Sequence, residues 1–136
     1  MFYCGFSGEF CGQSSINDVN DKASIVLLAF ANILSNGSIL VDAQNFPNSL
    51  ITQWKSSGKK VMISVGGYHG IWRHAFTSQQ NTNNFVNSIY QCLITYNLDG
   101  IDLNIESYQA TPRQVANMII QLKKLIGYQR LLIVSP

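Results

Sequence analysis

Charged side chains are scarce in this chain: seven acidic and nine basic residues among 136, or 12% of the sequence. The formal net charge of +2 is carried by scattered lysines and arginines. That leaves no basic stripe for nucleic acid or an anionic membrane surface, and neither is expected as a partner. Long apolar runs are missing too. The longest, Ile25 to Ala31, falls far short of the roughly twenty residues that cross a bilayer and reads as a buried strand. Only three cysteines occur, so not all can pair, and no C-x-x-C or other metal-ligand spacing is present. No metal and no cofactor are expected. For Cys4 and Cys11 two alternatives stand, a bridge across one loop in an oxidising compartment or two ordinary thiols; Cys92 lies beside the apolar face of a helix and reads as packing. The N-terminus lacks the basic and apolar regions of a signal peptide. This is expected either of a cytosolic protein or of a sequence whose true start is missing, and the compartment stays open. Asn36-Gly37-Ser38 is a glycosylation sequon if the chain is secreted and otherwise a turn. With 46% hydrophobic residues the chain is ordered and long enough to bury a core, as one domain or part of one.

Against this scarcity, Leu98 to Ser107 holds three of the seven acidic residues, Asp99, Asp102 and Glu106. Read as a strand, the run sends Ile101, Leu103 and Ile105 to one face and Asp102, Asn104 and Glu106 to the other, roughly 6.5 Å apart per pair of residues. An amphipathic strand is most simply an antiparallel one with a wet face. Acids and amides are disfavoured in strands, however, and the flanking segments read as a parallel α/β chain covered on both sides. An interior row is therefore the expectation.

In chain order, Phe2 to Ser7 reads as a first strand, and Gln13 to Asp21 as a polar stretch with room for a short helix. Ser24 to Asn32 is a buried strand and Ser35 to Ser38 a turn. Ala43 to Ser57 spaces Phe46, Leu50, Ile51 and Trp54 as a helix, which Gly58 ends. Lys60 to Val65 is a strand running into Gly66-Gly67, where small residues permit close backbone approach. Tyr68 to Ser78 reads as a loop, in which His69 and His74 read as surface residues. Asn83 to Tyr96 reads as a helix. Thr111, Pro112 and Gln114 open a helix along Val115, Met118, Ile119, Leu122, Leu125 and Ile126, stopped at Gly127, before a fifth strand over Arg130 to Ser135. Alternating β and α elements indicate a parallel α/β fold. An open doubly wound sheet would be complete at this length, but no glycine-rich phosphate fingerprint follows the first strand. A partial TIM (β/α)8 barrel, strands 1–5 only, is the expected fold class, because active-site residues sit at the C-terminal ends of barrel strands and Glu106 stands at such an end.

The run Asp99-Gly100-Ile101-Asp102-Leu103-Asn104-Ile105-Glu106 closely resembles the D-G-x-D-x-D-x-E strand of family 18 glycoside hydrolases, the chitinases and related endo-N-acetylglucosaminidases. Lys60 to Gly67 resembles that family's third-strand S-x-G-G, and Leu28 to Ile33 with its Asn-Gly turn resembles the second strand. The resemblance covers nearly the whole chain in the family's motif order. It implies retaining cleavage of β-1,4 bonds next to N-acetylglucosamine, assisted by the substrate's own acetamido group. By similarity Glu106 would be the general acid and base, Asn104 would hold the acetamido group and Asp102 would support the pair. Asp99 and Ser64 would act behind them with Gly66 and Gly67, and Tyr3, Tyr68 and Trp72 would contact sugar. The implied partner is chitin or an N-acetylglucosamine-containing oligosaccharide. Such an acid must keep its proton near neutral pH, which an enclosed apolar site favours.

Two departures from the family pattern stand out. Asn104 replaces the usual aspartate; its amide can accept the acetamido N–H but brings no charge, a loss of about 1–3 kcal/mol, as family 85 endo-N-acetylglucosaminidases are thought to accommodate. The chain also ends after the fifth strand, so it is expected to be a fragment or to self-associate as a half-barrel. The rival reading is a non-catalytic, lectin-like relative that binds chitin oligosaccharides, and a third is a half-barrel serving only for oligomerisation.

Overall fold

The computed structural model describes residues 2–5, 19–106 and 109–135, the first of these as a strand backbone only. Its elements are β1 (Phe2–Gly5), β2 (Ile25–Ile33), β3 (Ile39–Leu40), α1 (Asn48–Ser56), β4 (Lys60–Gly66), α2 (Arg73–Phe76), α3 (Gln79–Thr95), β5 (Gly100–Asn104), α4 (Pro112–Ile126) and β6 (Leu131–Ser135). The sheet runs β1-β2-β4-β5-β6, every pair parallel, with β3 antiparallel on the end of β2. Strand order thus follows chain order throughout. A doubly wound sheet reverses direction at a switch point, whereas a barrel does not, so the architecture is the partial (β/α)8 barrel. Among the described residues β1 and β6 are the two ends of the sheet.

Strand alternation divides the interior. Val26, Leu28, Val61, Ile63, Val65, Ile101 and Leu103 pack with Trp54, Phe85, Ile89, Leu93, Met118 and Leu122 from the helices, each fully buried apolar side chain contributing about 1.5–3 kcal/mol. The opposite face carries Met62, Ser64, Asp102 and Asn104, all of them buried. The pairing of β2 with β4 shifts register between Leu28 and Ala31.

Helix boundaries differ from the sequence expectations for local reasons. α1 begins at Asn48 rather than Ala43 because Pro47 disfavours helical backbone at Phe46. The preceding residues instead fold around Asp42, whose Oδ1 accepts the N–H groups of Gln44 and Asn45. The Asn45 side-chain amide, donating to Asp42 Oδ2 at 2.6 Å, holds that carboxyl below the usual carboxylate range. α3 begins earlier than expected, at Gln79, because Ser78 Oγ caps it by accepting from the Asn81 N–H. Side-chain bonds from Gln79 to Asn83 and from Gln80 to Asn84 support the first turn. The Tyr68–Ser78 loop contains the single turn α2, and β3 is a pairing too short to read from sequence. Within α4, Thr111 and Gln114 form the expected capping box. Met118, Leu122 and Ile126 are buried, but Leu125 is 38% exposed and not part of the core face. The Asn36-Gly37-Ser38 segment is the turn between β2 and β3, held by Asn84 Nδ2 donating to the Asn36 carbonyl. Residues 13–18 of the polar Gln13–Asp21 stretch, and the Cys4–Cys11 question, lie outside the described residues; Asp21 stands in a turn before β2.

Cys92 is buried on α3, and burial pushes its thiol up to about 12. Thiolate is the reactive form. Iodoacetamide at about pH 8, followed by peptide mapping, is therefore expected to leave Cys92 unlabelled in native protein and to label it in denaturant; native labelling at a free-thiol rate would contradict this packing.

Candidate active site

Register brings the polar row together. β4 and β5 pair so that Ser64 faces Asp102 and Gly66 faces Asn104, and β6 places Ile133 and Ser135 against the same two residues. Ser64 Oγ donates to Asp102 Oδ2 at 2.6 Å, and Ser135 Oγ donates to Asp102 Oδ1 at 2.7 Å. These lengths suit hydroxyl donors to a charged acceptor. Asp102 is wholly buried, and a buried carboxylate without such partners would cost several kcal/mol. Asp102 therefore points inward, not to water, as does Asn104.

Asn104 is held by its main chain. Its carbonyl accepts Trp72 Nε1–H at 2.9 Å and the Gly67 N–H at 3.1 Å. Its side chain is 6% exposed, and among the described residues Oδ1 has no hydrogen-bond partner. An enclosed amide oxygen left unpaired costs about 1–3 kcal/mol, so this position is suited to an incoming N–H or O–H donor. The loop that supports it needs glycine. Gly66 and Gly67 have φ of +104° and +73°, and a Cβ on Gly66 would collide with the Asn104 carbonyl oxygen and with Trp72 Nε1.

The remaining expected residues are not all gathered here. Trp72, expected on the sugar, is corrected: it is 0% exposed, packed against Phe85 with ring centroids 5.5 Å apart, and its N–H is committed to Asn104. It supports the site from beneath. Tyr68 is 83% exposed on the adjoining loop, edge-on to His69. Tyr3 pairs through its backbone with Leu27, while its side chain lies outside what the structure describes. Glu106 is exposed, correcting the expectation of an enclosed acid, because β5 ends at Asn104 and strand alternation no longer directs the chain two residues on. Asp99 sits at the other end of β5. Its Oδ2 accepts the Val61 N–H at 2.9 Å, and Lys55 and Lys60 Nζ lie 3.4 and 3.7 Å from its Oδ1, so it ties two strand starts together. His74 is half-buried, with Nδ1 3.2 Å from the Ile33 carbonyl oxygen, not the surface residue expected. Ser135 was not singled out by sequence; the available signal was a hydroxyl at the C-terminal end of a strand neighbouring the acid row. Among the described residues no three His, Cys, Asp or Glu side chains gather as a metal site, and no helix is long and apolar enough to cross a membrane.

The profile of glycosyl hydrolases family 18 matches residues 2–133. Exochitinase 1 of Streptomyces olivaceoviridis is 32% identical over 110 residues, 71% of this chain and 18% of that protein. The chitinase domain of the spore coat protein CotE from Clostridium difficile superposes with a TM-score of 0.81 at 22% identity, covering 99% of this chain and 41% of that one. A family GH18 chitinase from Chromobacterium violaceum gives a TM-score of 0.75 at 28% identity, covering 98% and 39%. This chain thus spans less than half the length of each.

The glycine loop yields a stability contrast. Gly66→Ala is expected to lower the unfolding free energy by about 2 kcal/mol or more, through collision and positive φ together. Gly58→Ala, at φ +86° but with nothing within 4 Å of an added Cβ, is expected to cost about 1 kcal/mol. Chemical denaturation of both variants checks this, and equal losses would show that Gly66 is not closely packed.

Proposed function

Because the chain belongs to glycosyl hydrolases family 18, we propose that residues 1–136 form part of a catalytic domain that hydrolyses β-1,4 bonds next to N-acetylglucosamine in chitin or related oligosaccharides. The observation that carries this reading is the enclosed Oδ1 of Asn104, unpartnered among the described residues, two residues beyond a pinned carboxylate and two before Glu106. An acetamido N–H is a donor of the right kind for that oxygen.

In the proposed reaction Glu106 gives its proton to the leaving glycosidic oxygen while the substrate's acetamido oxygen attacks the anomeric carbon. Asn104 Oδ1 accepts the acetamido N–H and turns the group for that attack. The C–O bond to the leaving sugar breaks as the new C–O bond to the acetamido oxygen forms. Water, losing its proton to Glu106, then opens the cyclic intermediate with net retention. Asp102 supplies a fixed negative charge beneath the developing positive one. The exposure of Glu106 is compatible with a residue that must reach a bound polymer, and Tyr68, 83% exposed beside it in the strand order, offers a ring for sugar stacking. We further propose that the sheet ends at β1 and β6 are closed by more β/α units of the same polypeptide, or else by a second copy of this half-barrel.

Glu106→Gln in the full natural chain is expected to lower kcat on an N-acetylglucosamine oligomer by about a hundred- to ten-thousand-fold while oligomer binding changes little. Binding without turnover by the unmutated protein would instead support the lectin-like reading.

A further inference from the structure

Ser135 falls outside the run of residues that carries the acid motif, yet it touches that strand twice. Its hydroxyl donates to Asp102 Oδ1 at 2.7 Å, and its backbone carbonyl accepts the N–H of Ile105 at 2.8 Å. Ile105 immediately precedes Glu106. The two contacts act on either side of Asn104, with which Ser135 is in register across the sheet.

Their consequences follow from geometry. Ser64 on β4 already holds the other oxygen of Asp102 at 2.6 Å. A carboxylate held through one oxygen can turn about its Cα–Cβ and Cβ–Cγ bonds; one held through both, by donors on the two flanking strands, can turn about neither without breaking a charge-assisted bond. The Ile105 contact carries the β5–β6 ladder one residue past the end of β5, and so directs the peptide that leads to Glu106. We infer that Ser135 is a positioning residue: it fixes the orientation of Asp102 through its hydroxyl and the course of the Ile105–Glu106 segment through its main chain. The inference depends on the hydrolytic reading for its activity readout alone.

The experiment compares unmutated protein, Ser135→Ala and Ser135→Thr in the full natural chain on an N-acetylglucosamine oligomer with a chromogenic leaving group. Ser135→Ala keeps the main-chain contact and loses the hydroxyl, so kcat is expected to fall about ten- to a hundred-fold with KM within about twofold. Ser135→Thr restores a hydroxyl and is expected to recover most of kcat. Unchanged kcat in the alanine variant, or a threonine variant as slow as alanine, would overturn the assignment. If the unmutated protein cleaves nothing, the hydrolytic reading fails by itself, and the role of Ser135 is read from the scalar couplings of the Asp102 β-protons. One rotamer in the unmutated protein and averaging in Ser135→Ala supports it; one rotamer in both overturns it.

Discussion

A carboxylate shut away from water has to find its hydrogen bonds within the protein, and Asp102 finds them on both neighbouring strands. Ser64 of β4 and Ser135 of β6 each donate to one of its oxygens, so the acid keeps both of these donors only when three consecutive parallel strands are in their observed register. A one-residue slip on either side would turn the serine to the helix-packed face and leave a buried charge short of a donor. The polar row thus demands the sheet's pairing, just as the pairing creates the row. Asn104 depends on the same frame through its carbonyl, which the β4–α2 loop grips by the Gly67 N–H and the Trp72 indole.

Much of this frame is legible in sequence because the physical signals are strong and local. The β-branched run Lys60–Val65, the alternation from Gly100 to Asn104 and the capping box at Thr111 each leave little freedom. What the sequence conceals is depth. An aromatic residue in a loop has the same appearance whether it covers a ligand or is covered by the fold, and Trp72 does the second. Period-two alternation likewise places Asp102 and Asn104 correctly within β5 but carries no information about where the strand stops, which is why Glu106 is more exposed than its spacing implied. Pro47 did hold the information that delays α1, through its effect on Phe46, whereas the apolar spacing of Phe46, Leu50 and Trp54 masked it. Ser135 is silent for another reason: a serine at a strand end becomes meaningful only once the partner strand's register is known.

The inner face combines a pinned charge with an unsatisfied neutral acceptor. Asp102 has both oxygens engaged, while Asn104 Oδ1 is enclosed and awaits a donor among the described residues. A fold tolerates an orphaned polar atom of this kind where a ligand supplies the missing bond. The family membership and the shared architecture with chitinases give that ligand its proposed identity, and the amide in place of an acid gives the proposed site a weaker electrostatic hold on a developing positive charge.

The proposed recognition of an acetamido group by Asn104 is tested by calorimetric binding, to Glu106→Gln protein, of an N-acetylglucosamine oligomer beside the same oligomer fully deacetylated. Tighter binding of the acetylated form by about tenfold or more is predicted, since the deacetylated sugar leaves Asn104 Oδ1 without its amide donor. Equal affinity for the two oligomers would contradict the account.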